Sequence, residues 1–213
     1  MNRTDGVPNE TIAPMTRRGE ACRLQAEDAW RDGRLEDAVA LFRQAIACLP
    51  DDGALRRRLA NAWKAAERPE EARASYRVAI ALEPACADLL RQSGNLLREQ
   101  GMVAAALAAY RHALAVRLDI AALVQFRLAL IAADDDDDAI LSTCRAVLAI
   151  EPDRMAGWRD LADCLCRIEQ LGAARAAYRR QERLCPGQAM VSHNIAVLDS
   201  ILGLMAKGKG ISS

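Results

Sequence analysis

Four arginines, Arg23, Arg57, Arg91 and Arg159, stand at multiples of 34 residues from one another, with Gln125 filling the place between the last two. One helical turn after them, on the same face, come Glu27, Asn61, Asn95 and Asp163. A guanidinium offers several planar donors, and an asparagine amide offers donors beside an acceptor. Arg57 with Asn61 and Arg91 with Asn95 would therefore present two donor sets suited to a carboxylate or an extended peptide backbone. The same arginines could instead pair with nearby acids and simply keep a helix face wet.

Other residues could do chemistry, and each has a plainer reading. The run Asp134 to Asp138 looks like a cation site, but it lacks the spaced ligands, glycine and terminal glutamate of a calcium loop. Lying just before a helix, its carboxylates suit the free N–H groups and the positive end of that helix. Of the seven cysteines, most fall at places for small apolar residues and are expected to be reduced and buried. The pair Cys164 and Cys166 has a spacing that turns the two thiols apart on a helix, so no metal is expected. The two histidines, His112 and His193, read as structural, and Ser192 beside His193 cannot face it on a helix. There is no phosphate loop, paired-histidine helix or nucleophile elbow, and neither cofactor nor catalysis is expected.

What must position these residues is a repeat. Phe42, Tyr76, Tyr110, Cys144 and Tyr178 follow at 34-residue intervals, and so do Pro50, Pro84, Leu118, Pro152 and Pro186. A fixed period of this length marks stacked units that bury their apolar faces against neighbours. The proline ladder sets five units, 19–52, 53–86, 87–120, 121–154 and 155–188, each predicted to be two helices joined by a short turn. Gly33 and Gly101 supply the turn where a positive φ ends the first helix. Pro69 fits the first turn of a second helix, and the closing prolines stop second helices. Small residues recur too: Ala26, Ala60, Gly94 and Ala162 on first helices, and Ala38, Ala72, Ala106 and Ala174 on second helices. Small against large at fixed places is what interlocked helices need.

With Trp158, Leu161, Ala162, Ala174, Tyr178 and Pro186 in the fifth unit, and Leu59, Ala60, Trp63, Ala72, Tyr76, Ala79 and Pro84 in the second, the chain resembles the tetratricopeptide repeat family. The likeness covers about residues 19–205. It implies an all-α fold, an α-solenoid of antiparallel helix pairs in a right-handed superhelix whose concave groove binds peptides or protein segments. It also implies that Arg23, Arg57, Asn61, Arg91, Asn95, Arg159 and Asp163 face that groove. Some members clamp the terminal carboxylate of chaperone tails. Here the corresponding positions carry Gln92, Ala122 and Phe126, so that clamp is not expected. In the fourth unit Leu128 and Ile140 replace the small residues and Cys144 the aromatic, two gains in volume against one loss, which predicts local repacking and altered curvature.

Composition excludes other classes. Lysine plus arginine equals aspartate plus glutamate, 29 against 29, so no net field draws the chain to nucleic acid. No run of 18 apolar residues is evident, so no membrane span is expected. Residues 1–18 read as a flexible leader without a signal peptide, which points to a cytoplasmic protein, and alanine- and arginine-rich usage points to a bacterium. Val191, Ile195, Leu198, Ile201, Leu202 and Met205 predict a capping helix over 189–205, followed by a flexible tail over 206–213. The expected function is a non-catalytic scaffold for a protein or peptide partner. The alternative is a regulatory or substrate-recruiting module that works with a glycosyl-, sulfo- or methyltransferase.

Overall fold

The computed structural model describes residues 9–134 and 136–209, with side chains for 14–134 and 136–207. Eleven helices and no strand are found among the described residues, as the all-α expectation requires. They divide between two compact units, Met1–Arg117 and Leu118–Ser213.

The N-terminal unit holds three helix pairs: α1 (Asn9–Arg31) with α2 (Leu35–Cys48), α3 (Gly53–Ala65) with α4 (Pro69–Leu82), and α5 (Ala87–Glu99) with α6 (Val103–Val116). Ala26, Ala60, Ala38, Ala72 and Ala106 are wholly buried, and Phe42, Tyr76 and Tyr110 fill the spaces beside them. A Cβ on Gly94 would lie 2.7 Å from the Tyr110 ring, so glycine lets that phenol seat itself. Leu55, Leu89 and Leu96 are buried with them, and dispersion over these matched surfaces makes the core.

The C-terminal unit holds α7 (Ile120–Ala132) with α8 (Asp137–Ile150), α9 (Met155–Arg167) with α10 (Leu171–Leu184), and a single last helix, α11 (Ala189–Lys209). Ala162 and Ala174 are again buried against Tyr178. The fourth repeat departs from expectation in one respect. Leu128 is 37 % exposed, and its neighbour Ala129 takes the buried place beside Leu130. Only Ile140 therefore adds volume to that core, while Cys144 removes it, and α7 and α8 pack less closely than the other pairs.

The turns follow one rule with different residues. Gly33, Glu67, Gly101 and Glu169 share the same repeat position, and all have positive φ, from 57° to 75°. The geometry is set by the helix pair, and glutamate accepts it in two of the four. Pro69 opens α4, and α2, α4, α8 and α10 each end two residues before a proline.

Both ends run longer than the sequence reading expected. Helix α1 begins at Asn9, so residues 9–18 belong to a helix, because most of them accept helical backbone and the single Pro14 removes only one donor. The rest of the expected leader, 1–8, lies outside the described residues. Helix α11 continues to Lys209, leaving 210–213 of the expected tail outside them. The stretch Ala189–Lys207 is long and apolar enough to cross a membrane by length and composition, and only 17 % of it is buried. Val191, Ile195 and Leu198 of this helix are buried, and it packs against α10.

Candidate functional site

First helices carry the candidate row, and neighbouring first helices are linked by charge. In the N-terminal unit Arg23 donates to Glu27 Oε1 at 2.8 Å, and the same carboxylate pairs with Arg58 of α3. Lys64 of α3 pairs with Glu99 of α5 at 2.7 Å. Glu27, Trp30, Arg31, Phe42, Arg58 and Asn61 line a cavity of about 280 Å³ at this face. The structure thus brings Arg23, Glu27 and Asn61 into one neighbourhood.

The polar residues have a second duty that reading single positions did not reveal. The Tyr76 hydroxyl donates to Asn61 Oδ1, and the Tyr110 hydroxyl donates to Asn95 Oδ1 at 2.8 Å. Each accepted bond fixes the amide, so its N–H₂ group is turned elsewhere, and neither nitrogen has a partner among the described residues. Burial, with the charge of Glu99, pushes the Tyr76 phenol up to about 12, so it stays a donor at ordinary pH. Arg57, half-buried on α3, has no hydrogen bond or ion pair among the described residues, and its charge reaches Tyr76. Arg91 is engaged: it lies 3.4 Å from Asp88, whose carboxyl is held below its usual range by hydrogen bonds from Arg117 first and Arg91 second.

In the C-terminal unit the row changes sign. Asp163 accepts from the Tyr178 hydroxyl, whose pKa is raised by burial and then by that carboxylate. Arg159 is 56 % exposed and reaches Asp160 only at 3.6 Å. Asp160 is held instead by Arg127 of α7 at 2.6 Å, in a pair whose side chains are 12 % and 17 % exposed. Gln125 is half-buried on α7.

The coupling between first and second helix was legible as a pattern within the sequence. Residues fifteen apart read Glu27 and Phe42, Asn61 and Tyr76, Asn95 and Tyr110, Ala129 and Cys144, Asp163 and Tyr178. Wherever the aromatic has a hydroxyl, its partner is an amide or a carboxylate. Where the hydroxyl is missing, the partner is freed for arginines or becomes alanine.

The remaining candidates settle into structural places. Asp136 caps α8 by accepting from the Asp138 N–H at 3.1 Å, and Asp137 pairs with Arg167. Asp135 lies outside the described residues. All seven cysteines are free thiols; Cys22, Cys144 and Cys164 are buried, while the other four are only half-buried. Burial pushes the Cys144 thiol up to about 11. Both histidines are exposed, and the Ser192 hydroxyl donates to Glu182, not to His193. No group of three His, Cys, Asp or Glu side chains able to hold a metal occurs among the described residues.

These features define an all-α repeat protein of the α-solenoid type, built from antiparallel helix pairs. Residues 29–92 match the family described as tetratricopeptide repeat, and the helix pairs on either side of that stretch have the same form. Solved structures with the same fold include YrrB, described as a TPR protein with an unusual peptide-binding site. It is 19 % identical over 81 % of this chain and 89 % of its own, with a TM-score of 0.66. MamA from Desulfovibrio magneticus RS-1 is 15 % identical over 82 % of this chain and 99 % of its own, at a TM-score of 0.71. PilF of Pseudomonas aeruginosa is 17 % identical over 94 % and 95 %, at 0.67. No curated protein matches the sequence.

Proposed function

We propose that this chain is a non-catalytic interaction module whose N-terminal unit holds an extended peptide or protein segment along its first helices. The observation that carries the reading is the pair of tyrosine-anchored amides, Asn61 and Asn95, each with an N–H₂ group that has no partner among the described residues. Fixed donors repeated once per helix pair match the repeated carbonyls of an extended backbone, and fixing them beforehand lowers the entropy lost on binding. Arg57 adds a charge able to select a carboxylate on the segment. Arg23 and Arg91 are already committed to Glu27 and Asp88, so they shape the face more than they grip a ligand. A structure of YrrB, whose fold this chain shares, is described as having a peptide-binding site, which fits the same reading.

The test is a peptide array probed with the wild-type chain and with Arg57→Glu and Asn61→Leu variants. Charge reversal at Arg57 should remove peptides with acidic residues from the bound set, and Asn61→Leu should weaken all of them about fivefold or more. An unchanged bound set with both variants would sink the proposal.

A further inference from the structure

A second cavity lies within the C-terminal unit, and none of its lining residues belongs to the proposed groove. Helices α8, α9 and α10 enclose an open cavity of about 430 Å³. Its floor is apolar: Leu161, Leu165 and the Trp158 ring from α9, with three alanines of α10. Its rim is basic, with Arg145 of α8 and Arg180 and Arg183 of α10. Trp158 is held in place, since its Nε1–H donates to the Pro152 carbonyl at 2.7 Å.

The rim is short of acid. Arg145 and Arg183 are exposed and have no hydrogen bond or ion pair among the described residues. Arg180 reaches Asp153 at 3.2 Å, but that carboxylate is 77 % exposed, so the pair is a weak competitor. Glu182, the only acid on α10, is engaged by the Ser192 hydroxyl at 2.8 Å. Three guanidinium groups around an indole and an apolar floor combine the two demands of a peptide anchor, an apolar side chain in a pocket and charge at its mouth. The volume suits one or two side chains. Arginines gathered at one cavity, in a chain of zero net charge, do not make the extended basic track that a nucleic acid needs.

We infer that this cavity binds an acidic peptide segment, seating an aromatic or large aliphatic side chain against Trp158, Leu161 and Leu165 while flanking carboxylates meet Arg145, Arg180 and Arg183. The apolar part sets the position, and the carboxylates set the choice of partner.

Fluorescence anisotropy of a labelled Glu-Glu-Phe-Glu-Glu peptide tests this on the full chain. Binding should exceed that of Glu-Glu-Gly-Glu-Glu and of Lys-Lys-Phe-Lys-Lys by about tenfold. The exposed double change Arg145→Glu and Arg183→Glu should weaken it by about tenfold or more, with the helical circular dichroism unchanged. Ala176→Trp, an exposed lining position, fills the cavity without touching its charge and should weaken it as well, whereas Arg57→Glu should leave it alone. Equal binding of the phenylalanine and glycine peptides would overturn the inference, as would retention of affinity after charge reversal. Inorganic phosphate competing as well as the peptide would also overturn it, because the apolar floor would then contribute nothing.

Discussion

The two compact units put different chemistry on the same two positions of the repeat. In the N-terminal unit a phenol donates to a neutral amide twice, at Tyr76 with Asn61 and at Tyr110 with Asn95. In the C-terminal unit it donates once, to a carboxylate, at Tyr178 with Asp163, and the remaining repeat has Cys144 opposite Ala129. The helix pairs are alike, yet one unit shows fixed donors without partners and the other shows an acid, a mostly buried Arg127–Asp160 pair and an arginine-rimmed cavity. Packing tolerates either solution because the aromatic contributes mainly by filling space. Recognition does not, because the partner of the hydroxyl decides whether the face offers donors or negative charge.

Removing the buried aromatic should have the largest effect. Tyr110 is wholly buried, so Tyr110→Ala should destabilise the N-terminal unit by about 3–5 kcal/mol. Cys144→Ala removes a much smaller group and should cost about 1 kcal/mol. Urea unfolding read by Trp30 and Trp63 for the first unit, and by Trp158 for the second, separates the two effects. Equal losses would mean that the fourth repeat is packed as tightly as the third, contrary to the looser fit of α7 and α8.

Next comes the hydroxyl itself. A hydrogen bond to a charged acceptor is worth about 1.5–3 kcal/mol and one between neutral groups about 0.5–1.5. Tyr178→Phe should therefore cost more than Tyr76→Phe in the same denaturation experiment. Asp163 is exposed, so water can solvate the carboxylate that Tyr178→Phe leaves behind; a smaller loss for Tyr178→Phe than for Tyr76→Phe would show that this solvation outweighs the charge of the acceptor.

Much of this could be read before any coordinates. The 34-residue ladders located the helix pairs, the closing prolines and the buried alanines. Exposure at Leu128 could not be read, because a shift of one residue on α7 is decided by neighbours that the repeat pattern does not encode. The duty of Asn61 and Asn95 was missed for a different reason. Each position was read along its own helix, while its partner sits across the turn, and only the matched pairs of the whole array expose the coupling. Helix α11 buries Val191, Ile195 and Leu198 of its apolar stripe and leaves Val197, Ile201 and Met205 exposed, a division that helical spacing alone does not reveal.

Alkaline titration sharpens the contrast without mutation. The Tyr76 phenol is raised to about 12, against about 10 when unfolded. The neutral phenol is the form the fold favours, so its contribution is full below about pH 10 and is lost as the pH rises through about 12. The urea midpoint of the N-terminal unit should fall over that window, and Tyr76→Phe should flatten the fall. A midpoint independent of pH there would mean that the phenols ionise freely in the folded chain.

The smallest effect should be the same in both units, and that makes it the control. Glu67 and Glu169 hold φ of 57° and 60° at the turn position where Gly33 and Gly101 stand in other repeats. An L-residue there carries a steric penalty of about 1–2 kcal/mol that glycine avoids, while glycine adds freedom to the unfolded chain. The balance predicts that Glu67→Gly and Glu169→Gly each stabilise by about 0.5–1 kcal/mol. Neither side chain belongs to the groove row or the arginine-rimmed cavity, so both peptide-binding measurements should be unmoved. If one substitution stabilises and the other does not, the two turns differ in more than residue type, and the likeness of the two units stops short of their turns.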